Sequence, residues 1–177
     1  DPAGSAASAA ALLAPGWLER RAASVDQSAA TPSSDVRPWP GGPPDKPAET
    51  THLSALDADG NLVALTTTLN TGFGCGLLVP ELGIFLNNEM DDFTAAVGQP
   101  NLFGLVQGEA NAVTPGRRML SSMTPTVAWR GDERLAVGAA GGPRIITATV
   151  QVVLAVVLDG RPLAEAIAAP RAHHQWM

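Results

Sequence analysis

The chain contains few charges, one cysteine and one lysine. Charged residues make up 16% of its 177 residues. A lone Cys75 excludes an intramolecular disulfide and any zinc site built from several cysteines. The eleven Lys and Arg residues are scattered along a chain of net charge −6. Nucleic acid binding needs a concentrated basic face, so we expect no nucleic-acid partner.

Long apolar runs and a recognisable leader are missing as well. The most apolar stretch, Ile145–Leu158, is too short to span a bilayer. The Ala-rich opening has no basic n-region and runs into Glu19-Arg20-Arg21, which argues against a signal peptide. The chain begins at Asp1 and stops abruptly at Met177. It therefore reads as a piece of a longer protein, about one domain in length.

The composition changes near residue 50. Residues 1–49 hold eight of the fifteen prolines, and such a segment buries too little apolar surface to offset its ordering entropy. We expect an extended arm here, with a short helix around Ala7–Ala23 that Pro15 interrupts. The rest of the chain is richer in apolar residues, and hydrophobic residues make up 45% of the whole chain, enough for a core.

From Thr50 onward the pattern predicts strands followed by helices, which is an α+β layering. Asp59-Gly60 between two β-rich runs favours a hairpin, and a second hairpin is expected around Gly131-Asp132. The Gly142-Pro143 and Asp159-Gly160 pairs suit the two ends of a helix. A long polar loop over Asp91–Leu120 is typical of a functional segment such as a lid. The predicted strands are 51–56, 62–68, 83–86, 126–129 and 135–138, and the predicted helices are 145–158 and 163–169.

Four clusters contain residues that can do chemistry. Thr50-Thr51-His52 offers a nucleophile, although threonines at a strand start are the simpler explanation from composition alone. Asn87–Asp92 suits an ammonium group, a metal ion or a solvated turn. Ser121-Ser122 can bind a carboxylate or cap a strand. Gly141-Gly142-Pro143 precedes a helix, where backbone N–H groups bind an oxyanion or simply form a turn.

Two further motifs are weaker indications of function. Gly72–Gly76 resembles a nucleotide loop only superficially, since no Gly-Lys-Ser/Thr follows it. His173-His174 are adjacent in an extended segment, so their side chains point to opposite faces. We interpret both histidines as structural.

Taken together and in order, these clusters resemble the γ-glutamyltransferase (γ-glutamyl transpeptidase) family. The resemblance is strong from Glu49 to the end of the chain. The stretches that carry it are Thr50–Ser54, Thr66–Gly74, Leu86–Phe93, Pro100–Leu105, Leu120–Thr126, Gly141–Ile146 and Pro170–Trp176.

The resemblance implies an N-terminal-nucleophile hydrolase fold, an αββα sandwich that is incomplete in this chain. It also implies self-cleavage between Glu49 and Thr50. Residues 1–49 would then be an arm that ends the large subunit, and residues 50–177 a truncated small-subunit catalytic domain. Family members are periplasmic, secreted or surface-bound, so a periplasmic or secreted location is expected.

The resemblance further implies γ-glutamyl transfer or hydrolysis from glutathione and related amides, with water, an amino acid or a peptide as acceptor. The α-amino group that cleavage frees would serve as the base, and no metal or cofactor is implied. The expected catalytic residues are Thr50, Thr68, Gly141 and Gly142; the expected binding residues are Asn70, Glu89 and Asp92 for the α-amino group and Ser121 and Ser122 for the α-carboxylate.

The chain departs from the family pattern in three ways. Most of the large subunit is absent, with the arginine that pairs with the substrate carboxylate, and the small subunit stops early. Phe103 replaces a tyrosine that latches the lid in many relatives, which predicts a looser lid.

Two alternatives to γ-glutamyl transfer remain. One is a cephalosporin-acylase-like amide hydrolase on the same scaffold, and the other is an uncleaved or non-catalytic binding module.

Overall fold

The structure, a computed structural model, describes residues 13–23, 25–29 and 49–175. Most of the predicted arm lies outside these residues. The described chain divides into two compact units: residues 13–29 (except 24) with 91–120, and residues 49–90 with 121–175. Helix α1 runs from Pro15 to Ala23. Pro15 therefore begins this helix rather than interrupting it, because a proline at the first helical position loses no hydrogen bond.

The first hairpin of the second unit consists of β1 (Glu49–Leu56) and β2 (Leu62–Asn70), which pair antiparallel. The Asp57 carboxylate organises the turn by accepting the N–H groups of Asp59 and Asn61 at 3.0 and 2.8 Å. Gly60 adopts a positive φ of 83° there, which glycine tolerates. The predicted hairpin is confirmed, and both strands extend further than predicted.

A second, very short hairpin follows the glycine-rich segment. It pairs β3 (Leu78–Val79) with β4 (Ile84–Phe85). The predicted strand over 83–86 is confirmed in part, whereas β3 is not among the predicted strands. Its two residues are too few to show the alternation by which strands are recognised in a sequence.

The third hairpin and the helices form the core of the same unit. Strands β5 (Thr126–Arg130) and β6 (Glu133–Val137) pair antiparallel, as predicted. Helices α2 (Arg144–Val157) and α3 (Leu163–Ala168) lie within one residue of their predicted ends. The α+β prediction is therefore confirmed. The buried apolar cluster that unites strand and helices is Leu135, Val137, Val152 and Ala166.

The segment 91–120 forms most of the described part of the other unit. It contains no α-helix and no strand within these residues, only single turns of 3-10 helix at Glu89–Asp92 and Glu109–Asn111. Isolated bridges join Thr94 to Ala112 and Pro100 to Val106. The prediction of a long loop is confirmed. Among the described helices, none is long and apolar enough to cross a membrane.

Candidate active site

Thr50 lies at an irregularity of the first hairpin. Thr50 pairs with Thr68, whereas the preceding residue, Glu49, pairs with Asn70. Leu69 is therefore the extra residue of a β-bulge in β2. Bulges redirect side chains next to active sites, and this one lies beside the bond where cleavage is predicted.

Hydrogen bonds join three of the predicted site residues at the bulge. Thr50 Oγ1 donates to Thr68 Oγ1 at 3.2 Å. The backbone N–H of Asn70 donates to the same Thr68 oxygen at 2.9 Å. Because Thr68 Oγ1 accepts both, its lone pairs are directed towards Thr50 and the backbone of Asn70. The Thr50 hydroxyl is held in one orientation as a result.

Asn70 has an unusual backbone conformation. Its φ of 76° makes it the one non-glycine residue with positive φ in the described part of the chain, and it is 5% exposed. Asparagine tolerates this region better than most residues, yet such strain clusters at functional sites. Its Nδ2 donates to the backbone oxygen of Asn88 at 3.3 Å, so the end of β2 is tied to the residue before Glu89.

The acidic cluster after β4 forms a 3-10 turn over Glu89–Asp92, with Glu89 at its start and Asp92 at its end. The Glu89 N–H donates to Asn87 Oδ1 at 3.0 Å, and both Glu89 and Asp92 are half-buried. Half-buried carboxylates at the two ends of one turn can accept hydrogen bonds from an ammonium group. Among the described residues, no three His, Cys, Asp or Glu side chains cluster as metal ligands do.

Gly141 and Gly142 precede α2 and have φ values of 127° and 56°. Their carbonyl oxygens accept the N–H groups of Arg144 and Ile145 at 3.2 and 3.1 Å and so begin the helix. Within the described residues, neither glycine N–H donates a hydrogen bond. Both amides are therefore available to an anion at the positive end of the helix dipole.

The remaining predicted residues are held by local contacts. Ser121 Oγ accepts the Met123 N–H at 3.2 Å, and Ser122 is half-buried just before β5. The hydrogen bonds that join Thr50, Thr68 and Asn70 do not extend to these serines. His173 Nδ1 lies 2.9 Å from Thr147 Oγ1 of α2, which agrees with its structural interpretation, although both His173 and His174 are exposed.

The sequence predicts no separate role for His52, the third residue of the Thr50-Thr51-His52 motif. The structure gives it an environment of its own. Its Nδ1 lies 2.8 Å from Thr66 Oγ1 and its Nε2 lies 3.1 Å from Ser54 Oγ. Ser54 in turn donates to the Ala136 carbonyl at 3.2 Å. The period-2 alternation of β1 places His52 on the face of Thr50, a signal that was available in the sequence.

A model of the γ-glutamyltranspeptidase family matches residues 1–177. The chain belongs to this family. Its relatives include the glutathione hydrolase proenzyme of Escherichia coli, which is 48% identical over 168 residues, or 94% of this chain and 29% of that protein. The proenzyme of the same name from Pseudomonas aeruginosa is 47% identical over 178 residues, or 100% of this chain and 31% of that protein. The chain thus spans about three tenths of these γ-glutamyltranspeptidase relatives.

Solved structures of the family share the fold. A mutant γ-glutamyltranspeptidase from Helicobacter pylori superposes with a TM-score of 0.67 at 45% identity, over 71% of this chain and 68% of that chain. The γ-glutamyltranspeptidase of Pseudomonas nitroreducens in complex with L-DON gives 0.66 at 48% identity, over 71% and 65%. The chain therefore has the N-terminal-nucleophile hydrolase fold of this family.

Proposed function

We propose that this protein transfers or hydrolyses the γ-glutamyl group of glutathione and related γ-glutamyl amides through an ester on Thr50. The observation that carries the proposal is the hydrogen bond from Thr50 Oγ1 to Thr68 Oγ1 beside the β2 bulge, which lies opposite the Glu49–Thr50 bond. Family membership supports it, because relatives that are almost half identical are named glutathione hydrolase proenzymes.

Maturation would come first. In the continuous chain the Thr50 nitrogen is an amide and cannot act as a base. Attack of Thr50 Oγ1 on the Glu49 carbonyl carbon breaks the Glu49–Thr50 amide, and the hydroxyl proton passes to the nitrogen, which leaves an ester on Thr50 Oγ1 and a free amine at Thr50. Water then hydrolyses this ester, which frees a carboxylate at Glu49 and restores the Thr50 hydroxyl. An α-amino group with a pKa of roughly 8 is a suitable base near neutral pH.

The same hydroxyl would then attack the substrate. Thr50 Oγ1 loses its proton to the α-amine and bonds to the γ-carbonyl carbon. The N–H groups of Gly141 and Gly142 would stabilise the oxyanion, and one such donor typically contributes about 3–4 kcal/mol. The leaving amine takes the proton as the amide bond breaks. Water, an amino acid or a peptide amine then takes the γ-glutamyl group from the ester.

Recognition of the γ-glutamyl group would use the remaining predicted residues. Asn70, Glu89 and Asp92 would bind the α-amino group, because two carboxylates and an amide oxygen complement an ammonium ion. Ser121 and Ser122 would donate to the α-carboxylate.

The subunit organisation and location follow the family. We propose residues 1–49 as the end of a large subunit of the same precursor, residues 50–177 as the catalytic small subunit, and a periplasmic or secreted location. The scheme needs no metal, cofactor or nucleic acid.

Intact mass and N-terminal sequencing test the maturation step. We expect the full-length precursor to yield a species that begins at Thr50, and Thr50→Ala to remain one chain. Thr50→Ser is the matched control, since it keeps a hydroxyl nucleophile and should still be cut. A wild-type precursor that stays intact under every condition would instead favour the uncleaved or non-catalytic alternative.

Substrate choice separates the proposed activity from that of an amide hydrolase of the cephalosporin-acylase type. We expect γ-glutamyl p-nitroanilide to be a much better substrate than glutaryl p-nitroanilide, which lacks only the α-amino group. Equal rates would favour the acylase. Activity that a chelator abolishes and a divalent ion restores would show that the acidic cluster binds a metal rather than an ammonium group.

A further inference from the structure

The Asn111 side chain links the two ends of the loop 91–120. Its Nδ2 donates to the backbone oxygen of Asp92 at 2.6 Å and also to Gln107 Oε1. Its Oδ1 accepts the backbone N–H of Leu120 at 2.9 Å. A carbonyl only accepts and an N–H only donates, so these partners fix the orientation of the amide. We call this arrangement the Asn111 bridge.

The backbone of Asn111 is held as firmly as its side chain. Its carbonyl accepts the Thr94 N–H at 2.9 Å and its N–H donates to Gly108 O at 3.2 Å. Thr94 Oγ1 also donates to Gly108 O at 2.9 Å. Asn111 is therefore a fixed point within its own unit, and the groups that it binds are positioned relative to that point.

The two backbone segments held by the bridge are those that adjoin predicted substrate contacts. Asp92 is expected to bind the α-amino group of the donor. Leu120 immediately precedes Ser121, which is expected to bind the α-carboxylate. Because the ends of a long loop are free to separate unless something holds them, the link at Asp92 and Leu120 limits how far the Asp92 backbone can move. The Asp92 carboxylate is limited with it.

We propose that Asn111 is a positioning residue for recognition of the donor's α-amino group. It does not touch substrate in this scheme, and it acts by holding the Asp92 backbone so that the carboxylate receives the ammonium ion. This inference rests on the proposed function and deepens it. Its expected signature is a loss of discrimination for the α-amino group, because a residue that served folding alone would affect all donors equally.

Asn101 provides a matched control in the same loop. Its Oδ1 accepts the N–H groups of Phe103 and Leu105 at 3.0 and 2.9 Å. These bonds close a turn over residues 101–105, whose Leu102 N–H donates to Asp91 Oδ2 at 2.9 Å, and neither of them involves Asp92 or Leu120. Replacing Asn101 therefore removes two side-chain hydrogen bonds of the same loop and leaves the bonds of Asn111 to Asp92 and Leu120 in place.

The experiment uses the full-length precursor and the two anilides, whose kcat/KM ratio measures the contribution of the α-amino group. We expect Asn111→Leu to lower this ratio about tenfold, mainly through KM for the γ-glutamyl donor. Turnover of the glutaryl anilide should be unchanged. Asn101→Leu should keep the wild-type ratio. Asp92→Asn should lower the ratio by itself, and adding Asn111→Leu to it should lower the ratio no further.

An equal fall for both donors, or a full additional loss in the double variant, would overturn the proposal. Should Asn111→Leu not fold, Asn111→Asp permits the same comparison, since it keeps the acceptor for Leu120 and loses the donor to Asp92. A wild-type protein without γ-glutamyl turnover would instead refute the proposed function. The bridge is then tested by hydrogen exchange, which should be faster at the Leu120 amide in the variant; unchanged exchange would refute it.

Discussion

Gly138, which directly follows β6, lies against the imidazole ring of His52 in β1. Gly138→Ala is the sharpest test of how β1 and the end of β6 pack together. A Cβ at residue 138 would lie 2.9 Å from His52 Cγ and closer still to Nδ1 and Cε1, whereas ordinary contacts begin at about 3.4 Å. The φ of Gly138 is not in the left-handed range. The obstacle to a side chain at this position is therefore the ring and not the backbone conformation.

The ring has little freedom to move aside. It is held between Thr66 Oγ1 and Ser54 Oγ at 2.8 and 3.1 Å. Overpacking costs about 1–3 kcal/mol, and the loss of a hydrogen bond adds about 1 kcal/mol. We expect Gly138→Ala to destabilise the protein by about 2–4 kcal/mol. It should also slow cleavage before Thr50, because Thr50 lies on the same strand as His52.

Thermal unfolding and the rate of precursor cleavage measure both effects. The double variant Gly138→Ala/His52→Ala should be more stable than the sum of the single changes predicts, because removing the ring removes the clash. Gly108→Ala is the matched control: its φ is −89° and no atom lies within 4 Å of the added Cβ. Additive single effects, or an unaffected Gly138→Ala variant, would refute the steric argument.

The remaining predictions concern a hydroxyl, a carboxylate and the loop. Thr68→Val removes the acceptor of the Thr50 hydroxyl and of the Asn70 N–H. It should slow precursor cleavage about tenfold or more and destabilise the protein by about 1–3 kcal/mol through the unpaired N–H; an unchanged rate would contradict its orienting role. The side-chain and then the backbone hydrogen bonds from Asn61 lower the pKa of Asp57 below that of an ordinary aspartate. The contribution of the Asp57 carboxylate to stability is therefore present above about pH 4 and lost as pH falls through the lowered pKa. Asp57→Asn should weaken the acid dependence of the thermal midpoint. An acid profile identical to that of the wild type would contradict this. Phe103→Tyr should lower the ratio of hydrolysis to transpeptidation about fivefold, by supplying a hydroxyl that can latch the loop; an unchanged ratio would count against a looser lid.

Local patterns predicted most elements of this fold. Asp59-Gly60 and Gly131-Asp132 identified two hairpins, and the glycine and proline flanks placed α2 and α3 within a residue of their observed ends. These signals work because turn conformation and helix termination depend on residues that are neighbours in the chain. The pairing of Leu78–Val79 with Ile84–Phe85 had no such signal, since two-residue strands are too short to show a period.

The candidate site was predictable as a set of residue types but not as an arrangement. The ordered motifs resemble the γ-glutamyltransferase family, and the family model confirms membership. The roles of the individual site residues stay predictions. The β-bulge at Leu69 and the positive φ of Asn70 could not be read from the residues, because asparagine and leucine occur in many conformations.

Most of the strands and helices, the α+β class and the family follow from the sequence, since they depend on short-range periodicity, turn chemistry and ordered motifs. Tertiary structure alone decided which side chains meet. The contact of His52 with Gly138 and the link from Asn111 to Asp92 and Leu120 join residues far apart in the chain. Such contacts depend on how whole strands and loops pack, and no local preference of the residues involved specifies them.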